Sequence, residues 1–424
     1  MHHTRTRLAA LVAAAAIALT GCSAGQAGNG TDTEVTEVTV WHYWDGANAD
    51  AFDGLVDEYN TAHKDVVIKT ANVPNPDFLT KLRASATSKT LPDIAIGDLV
   101  WVPQIAEIGS LADLTPLLPA DVLSDINPAL TSFGNIDGAQ VSVPVSANNL
   151  AFMYNRTLFE EAGLDPDAPP TTWDELIAAG KTILAKTGKP GYDLFTQAGD
   201  NGEGLTWNFQ VNLWQAEGDF LTADNSKAAF NTAEGKKALE YWKTLIDSGV
   251  SPYAKWGEFE KGQGGSAQEG SWMVGIWAPD PPFDFDVARV PYPADGVPAT
   301  NLGGEQAMVF NNDETTAAAA ADFLAWFLEP EQVTSWSETT GMLPVTNSVA
   351  TSEEYLGWVD ETQPRLRPYV EQMAEAHARP NTPLYPKISF AFAQEIEKAL
   401  SGDVSVDEAL DDAEKAVNEV ISNG

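Results

Sequence analysis

The chain has 424 residues, with 24 Lys and Arg against 61 Asp and Glu and a formal net charge of −37. Such acidity repels phosphate backbones and anionic lipid, so nucleic acid and membrane-surface partners are disfavoured, while 44% hydrophobic residues argue for packed domains rather than disorder. A single cysteine excludes a disulfide framework or Cys-based metal site, five histidines argue against His-rich metal or acid–base chemistry, and the length suits two lobes of about 150–200 residues.

Arg5 and Arg7 precede an apolar, alanine-rich run over residues 8–19. This is the charged region and short apolar core of a secretory signal, too short to span a bilayer as a mature helix. Leu19-Thr20-Gly21-Cys22 follows and resembles a bacterial lipobox. It implies a signal peptide over 1–21, lipidation of Cys22 and a polar linker over 22–33. Residues 35–44 then alternate β-branched and aromatic side chains with polar ones and read as a first strand. Phe52, Leu55, Val56 and Tyr59 line one face of a helix, and residues 66–68 form a second strand. Phe78, Leu79 and Leu82 mark another helix, and residues 93–96 a third strand. Strands alternating with helices at this spacing predict βαβ units and a largely parallel sheet.

Thr172-Trp173-Asp174-Glu175 carries a capping box that opens a helix with Leu176, Ile177, Ile183 and Leu184. Residues 188–204 read as a Gly-rich loop and 232–246 as a second amphipathic helix. Residues 256–300 are rich in Gly, Pro and Asp, with short apolar strands expected at 272–277 and 287–290. A second capping box, Ser405 with Glu408, opens a tail helix bearing Ala409, Leu410, Ala413, Val417 and Val420.

No nucleophile elbow, zinc-protease pair, Walker loop, dinucleotide fingerprint or EF-hand spacing is found. Tryptophan stands out instead. Trp44 precedes Asp45-Gly46 at the end of the first strand, Trp277 precedes Ala278-Pro279-Asp280, and Trp207 sits in a polar stretch. Aromatic faces fit the CH faces of sugar rings, and neighbouring carboxylates and amides bond the hydroxyls. Ligands in parallel sheets bind beyond the carboxyl ends of the strands.

Seven motifs recur in order along the chain. They are Val40-Trp41-His42, Leu91-Pro92-Asp93-Ile94, Met153-Tyr154-Asn155-Arg156 with Ala162-Gly163-Leu164, and Pro170-Thr171-Thr172-Trp173. Phe230-Asn231-Thr232-Ala233-Glu234-Gly235, Gly341-Met342-Leu343-Pro344-Val345 and Ser405-Val406-Asp407-Glu408 complete the set. Behind a lipobox, this order resembles the family 1 extracellular solute-binding proteins of ABC sugar importers, the group that includes maltose-binding and glycerol-3-phosphate-binding proteins. The resemblance implies an α/β, two-lobe type II fold with hinge strands and the ligand in the interlobe cleft. Residues 34–145 and 300–345 would form the N-terminal lobe, and 146–299 and 346–424 the C-terminal lobe. It implies binding without catalysis; no cofactor and no metal-binding residue is assigned, and a structural metal in one lobe stays open. The expected molecule is a monomer tethered through Cys22 on the extracellular face of the membrane, beside its permease subunits.

Carried over by position, Tyr43, Trp44, Asp45 and Asp98 bind from the first lobe, and Asn148 and Asn149 lie at the first crossing. Trp277, within Gly275-Ile276-Trp277-Ala278, matches a sugar-stacking tryptophan. Gly303 and Gly304 fall where backbone approaches ligand, with Glu305 beside them, and Trp207 adds a further contact. The position of a phosphate-binding arginine in the glycerol-3-phosphate branch falls at Ser389. Without that charge-assisted clamp, a neutral oligosaccharide is expected over a glycerol phosphodiester, with Tyr385 or Phe390 as a replacement ring. The alternatives are a lipid-anchored glycoside hydrolase, whose carboxylates need only be close in space, and a lectin-like surface protein without transport.

Overall fold

A computed structural model of the chain describes residues 35–278 and 280–424. The expected signal peptide, linker and lipidated Cys22 lie outside the described residues. Strand Thr36–His42 buries Val38 and Val40 completely and pairs in parallel with Val66–Asn72 on one side and Ile94–Asp98 on the other. The next strand arrives from far along the chain: Glu305–Val309 runs antiparallel to Ile94–Asp98 and, on its other edge, to Ser142–Pro144. Helix Gly46–Ala62 covers this sheet with Phe52, Leu55, Val56 and Tyr59 buried, the four residues that the helical spacing predicts. Phe52 meets Phe323 and Phe327 of helix Glu314–Phe327 edge-on.

The second lobe is built on a smaller sheet. Leu150–Asn155, buried at all six positions, lies between antiparallel Ser266–Gly270 and Phe285–Ala288. Helix Trp173–Thr187 begins with the complete Thr172–Glu175 capping box. Helices Ala233–Asp247, Tyr385–Ser401 and Val406–Asn423 pack against one another beside it, the last burying Ala409, Leu410, Ala413 and Val417.

Three neighbouring segments join the sheets. Residues 145–149 lead from Ser142–Pro144 into Leu150–Asn155, and residues 303–304 lead from Thr300–Leu302 into Glu305–Val309. The third passes through Leu343. Asn148 and Gly303 exchange backbone hydrogen bonds at 2.9 and 3.0 Å, and Ala147 pairs likewise with Leu343. The approach is so close that a Cβ on Gly304 (φ +140) would lie 2.2 Å from the Ser146 carbonyl. Only glycine suits that position.

Two stretches differ from expectation. Residues 272–277 form a helix, Trp272–Trp277, not a strand; a short apolar run carries no period that separates the two. The loop expected over 188–204 holds as far as residue 202, but the stretch after it, to which no element was assigned, forms helix Glu203–Gln215 and holds Trp207. That helix is buried nearly all round, including Asn208, Gln210, Asn212 and Gln215, so no one-sided apolar stripe marks it. No helix among the described residues is long and apolar enough to cross a membrane.

Candidate functional site

The carboxyl ends of Thr36–His42 and Ile94–Asp98 open onto a cavity of about 290 Å³. Tyr43, Trp44, Asp45 and Asp98 line it from the first sheet, Asn148, Gly303, Gly304 and Glu305 from the crossing segments, and Trp207 from the opposite helix. Nine of the eleven expected binding residues therefore converge here. Asn149 and Trp277 do not line this cavity.

Asn149 is fully buried, and its amide donates to the Tyr369 carbonyl (2.9 Å) while its Oδ1 accepts from Gln372 (2.8 Å). Every arm of that side chain serves packing. Trp277 turns away into a nest of Phe259, Phe283 and Phe285, with ring centroids 5.1–5.9 Å apart. Trp272 and Ile276, from the same short helix, face the cavity instead. Trp272 lies nearly parallel to Trp207, with centroids 5.8 Å apart and planes 11° apart. The two indoles form one aromatic floor.

Sequence reasoning also missed Asn48, Asn75, Met342 and Arg379. Asn48 follows the expected Asp45 by less than a helical turn and could have been found from that. Arg379 carries no motif. It follows Ala376–Ala378, a strand that pairs with Thr300–Leu302, and its side chain is only 2% exposed. One guanidinium nitrogen bonds Asp98 Oδ1 and another Glu203 Oε1, both at 2.7 Å. Burial opposes the Arg379 charge, but the two carboxylates hold it firmly protonated. Glu203 is pushed above the ordinary carboxylate range by burial, against the pull of Arg379.

The glycines serve the crossing segments. A Cβ on Gly303 would lie 2.1 Å from Asn148 Oδ1, so the close approach is between crossing segments. Glu305 is buried beside them. Its Oε1 accepts from the Tyr43 hydroxyl at 2.8 Å and its other oxygen from Ser146. Burial raises its carboxyl above the usual range, with those two bonds acting the other way. The Tyr43 phenol is raised well above its ordinary value, chiefly by burial.

Several polar atoms here lack a protein partner: Asn48 Oδ1, Asn148 Oδ1, Trp207 Nε1 and Arg379 Nε. Asp45 occupies the N-cap of helix Gly46–Ala62, but its carboxylate caps nothing. Buried polar groups are rarely left unpaired without a function, and this set is a mixture of donors and acceptors suited to hydroxyl groups. Ser389 is buried and donates to Glu203 at 2.6 Å. Tyr385 and Phe390 do not reach this cavity. No group of metal-ligating side chains occurs among the described residues.

Comparison with known proteins agrees with the two-lobe fold. A cyclic α-maltosyl-1,6-maltose-binding protein from Arthrobacter globiformis is 76% identical, with a TM-score of 0.86 over 92% of this chain and all of the other. An ABC substrate-binding protein from Listeria monocytogenes in complex with cycloalternan is 25% identical, with a TM-score of 0.80 over 92% of this chain and 99% of the other. The sn-glycerol-3-phosphate-binding periplasmic protein UgpB of Yersinia pseudotuberculosis is 23% identical over 90% of this chain and 91% of its own length. Residues 54–360 match the family model described as bacterial extracellular solute-binding protein, and the chain belongs to that family.

Proposed function

We propose that this protein captures a neutral α-linked gluco-oligosaccharide, with cyclic α-maltosyl-1,6-maltose as the leading candidate, and delivers it to an ABC permease. The carrying observation is the charge state of the cleft. Asp45, Asp98 and Glu305 line it, and the Arg379 guanidinium that also lines it is already shared between Asp98 and Glu203. A phosphodiester would meet carboxylates and no free cation. A neutral saccharide meets an indole floor for its CH faces, with Asp45, Asn48 and Asn148 free for its hydroxyls.

Two structural relatives support a cyclic ligand, since one binds cyclic α-maltosyl-1,6-maltose and another was captured with cycloalternan. In this reading, residues 34–145 with 300–345 and residues 146–299 with 346–424 are the moving lobes. Closure about the three crossing segments buries the sugar, and ligand binding draws the population toward the closed form. Cys22 carries the lipid that keeps a monomeric receptor beside its permease.

Isothermal titration tests the ligand class directly. The cyclic tetrasaccharide should bind at least a hundredfold more tightly than glycerophosphocholine, and the reverse order would overturn the proposal. Recovering the sugar unchanged after prolonged incubation separates binding from hydrolysis. Cys22→Ser should release the protein from the cells into the medium; full retention on the membrane fraction would refute the tether.

A further inference from the structure

The binding cavity has a neighbour. A second cavity of about 450 Å³ is lined by Arg83, Trp101 and Gln104 from the first lobe and by Asn201, Lys387 and Phe390 from the second. Asn75 and Asp98 line both cavities, Arg379 only the first and Glu203 only the second. The bridge Asp98–Arg379–Glu203 therefore stands between the two.

That bridge is braced at both ends. Asp98 Oδ1 also accepts from the Val100 N–H at 3.1 Å. Glu203 accepts from the Ser389 hydroxyl at 2.6 Å and from the Tyr385 hydroxyl at 3.1 Å. The guanidinium lies 5.4 Å from the centre of the Trp207 ring. A planar fork held by two charge-assisted bonds has little freedom to swing aside.

We propose that the Arg379 bridge partitions the interlobe cleft and selects ligand by shape, admitting a compact saccharide ring and stopping an extended chain. The proposal rests on the saccharide reading above. An extended α-glucan could gain by running on past Asp98, where the half-buried Trp101 indole offers a second stacking face. To do so it must break two charge-assisted hydrogen bonds and leave two partly desolvated carboxylates without their cation, a costly state. A ring has no end to extend, so it makes no such demand.

The test is calorimetric titration of cyclic α-maltosyl-1,6-maltose, maltotetraose and maltohexaose into the mature protein and into an Arg379→Ala/Glu203→Gln double variant. The wild type should prefer the ring to maltohexaose by at least tenfold, and the double variant should lower that ratio at least fivefold by gaining affinity for the linear chain. Adding Trp101→Ala to the double variant should abolish the gain. If the double variant shows no cooperative melt, Arg379→Lys, which replaces the rigid planar fork by a compact ammonium on a flexible stem, must shift the ratio in the same direction. An unchanged ratio, or a wild type that binds chain and ring equally, overturns the partition and leaves the saccharide reading standing. No binding of any of the three sugars by either protein overturns both.

Discussion

Trp272 and Trp277 sit five positions apart on one short helix, which turns their side chains about 140° from each other. One therefore joins Trp207 in the cleft and the other joins the phenylalanine cluster behind it. Trp272→Ala should cost at least tenfold in sugar affinity while the melting curve of the free protein stays near that of the wild type. Trp277→Ala should do the opposite, losing about 3–5 kcal/mol of stability in a denaturant titration. If Trp277→Ala kept its stability and lost the sugar, the two assignments would be exchanged. Part of the site was visible in the sequence for a physical reason. Trp44 follows directly on a parallel strand, where ligands gather, and the family resemblance supplied Tyr43, Asp45 and Asp98 beside it. Arg379, Trp272 and Met342 were hidden because only the third crossing and the fold of the second lobe bring them there, and no local spacing encodes that meeting.

Elements with a one-sided apolar stripe were read correctly. Helix Gly46–Ala62 buries the predicted four residues, and Thr172–Glu175 caps its helix reciprocally. Thr172→Ala should therefore lower stability by about 1 kcal/mol, seen as a drop in melting temperature with sugar affinity unchanged, since the cap lies outside the cleft. Helices Trp272–Trp277 and Glu203–Gln215 were missed because each is decided by what packs around it. Gly275 shows how. A Cβ there would lie 2.2 Å from the Thr340 carbonyl, so the short helix of the second lobe presses directly on the end of helix Pro330–Thr340 in the first. Gly275→Val should hold these elements apart, weaken sugar binding at least tenfold and shrink the ligand-induced fall in radius of gyration measured by small-angle scattering. A normal fall in radius with normal affinity would show that this contact does not limit closure.

The molecule as a whole combines a net charge of −37 with carboxyls buried in the second lobe. Asp193 is 2% exposed and accepts the N–H groups of Gly257 and Phe259 at 3.0 and 2.8 Å. Burial nevertheless outweighs those bonds and pushes its carboxyl up to about 6 from an ordinary 3.8. Glu269 is likewise raised well above the ordinary range, chiefly by burial. A carboxyl raised in the folded state contributes stability that is complete below its unfolded value and is lost as pH rises through the folded one. For Asp193 that window runs from about pH 4 to about 6, and the shift corresponds to about 3 kcal/mol. Acidification also relieves repulsion among the many surface carboxylates. Below about pH 4 the sign reverses, because Asp113, Glu175 and Asp313, all held below the ordinary range by hydrogen bonds from nearby hydroxyls and backbone N–H groups, must protonate and lose those bonds. Melting temperature should therefore rise as pH falls from 7 to 5 and collapse below 4. Asp193→Asn keeps an oxygen to accept both N–H groups but cannot ionise, so it should flatten the rise between pH 7 and 5 without shifting the acid collapse. A rise of undiminished size in the D193N variant would assign the whole effect to surface charge and clear Asp193 of any part in it.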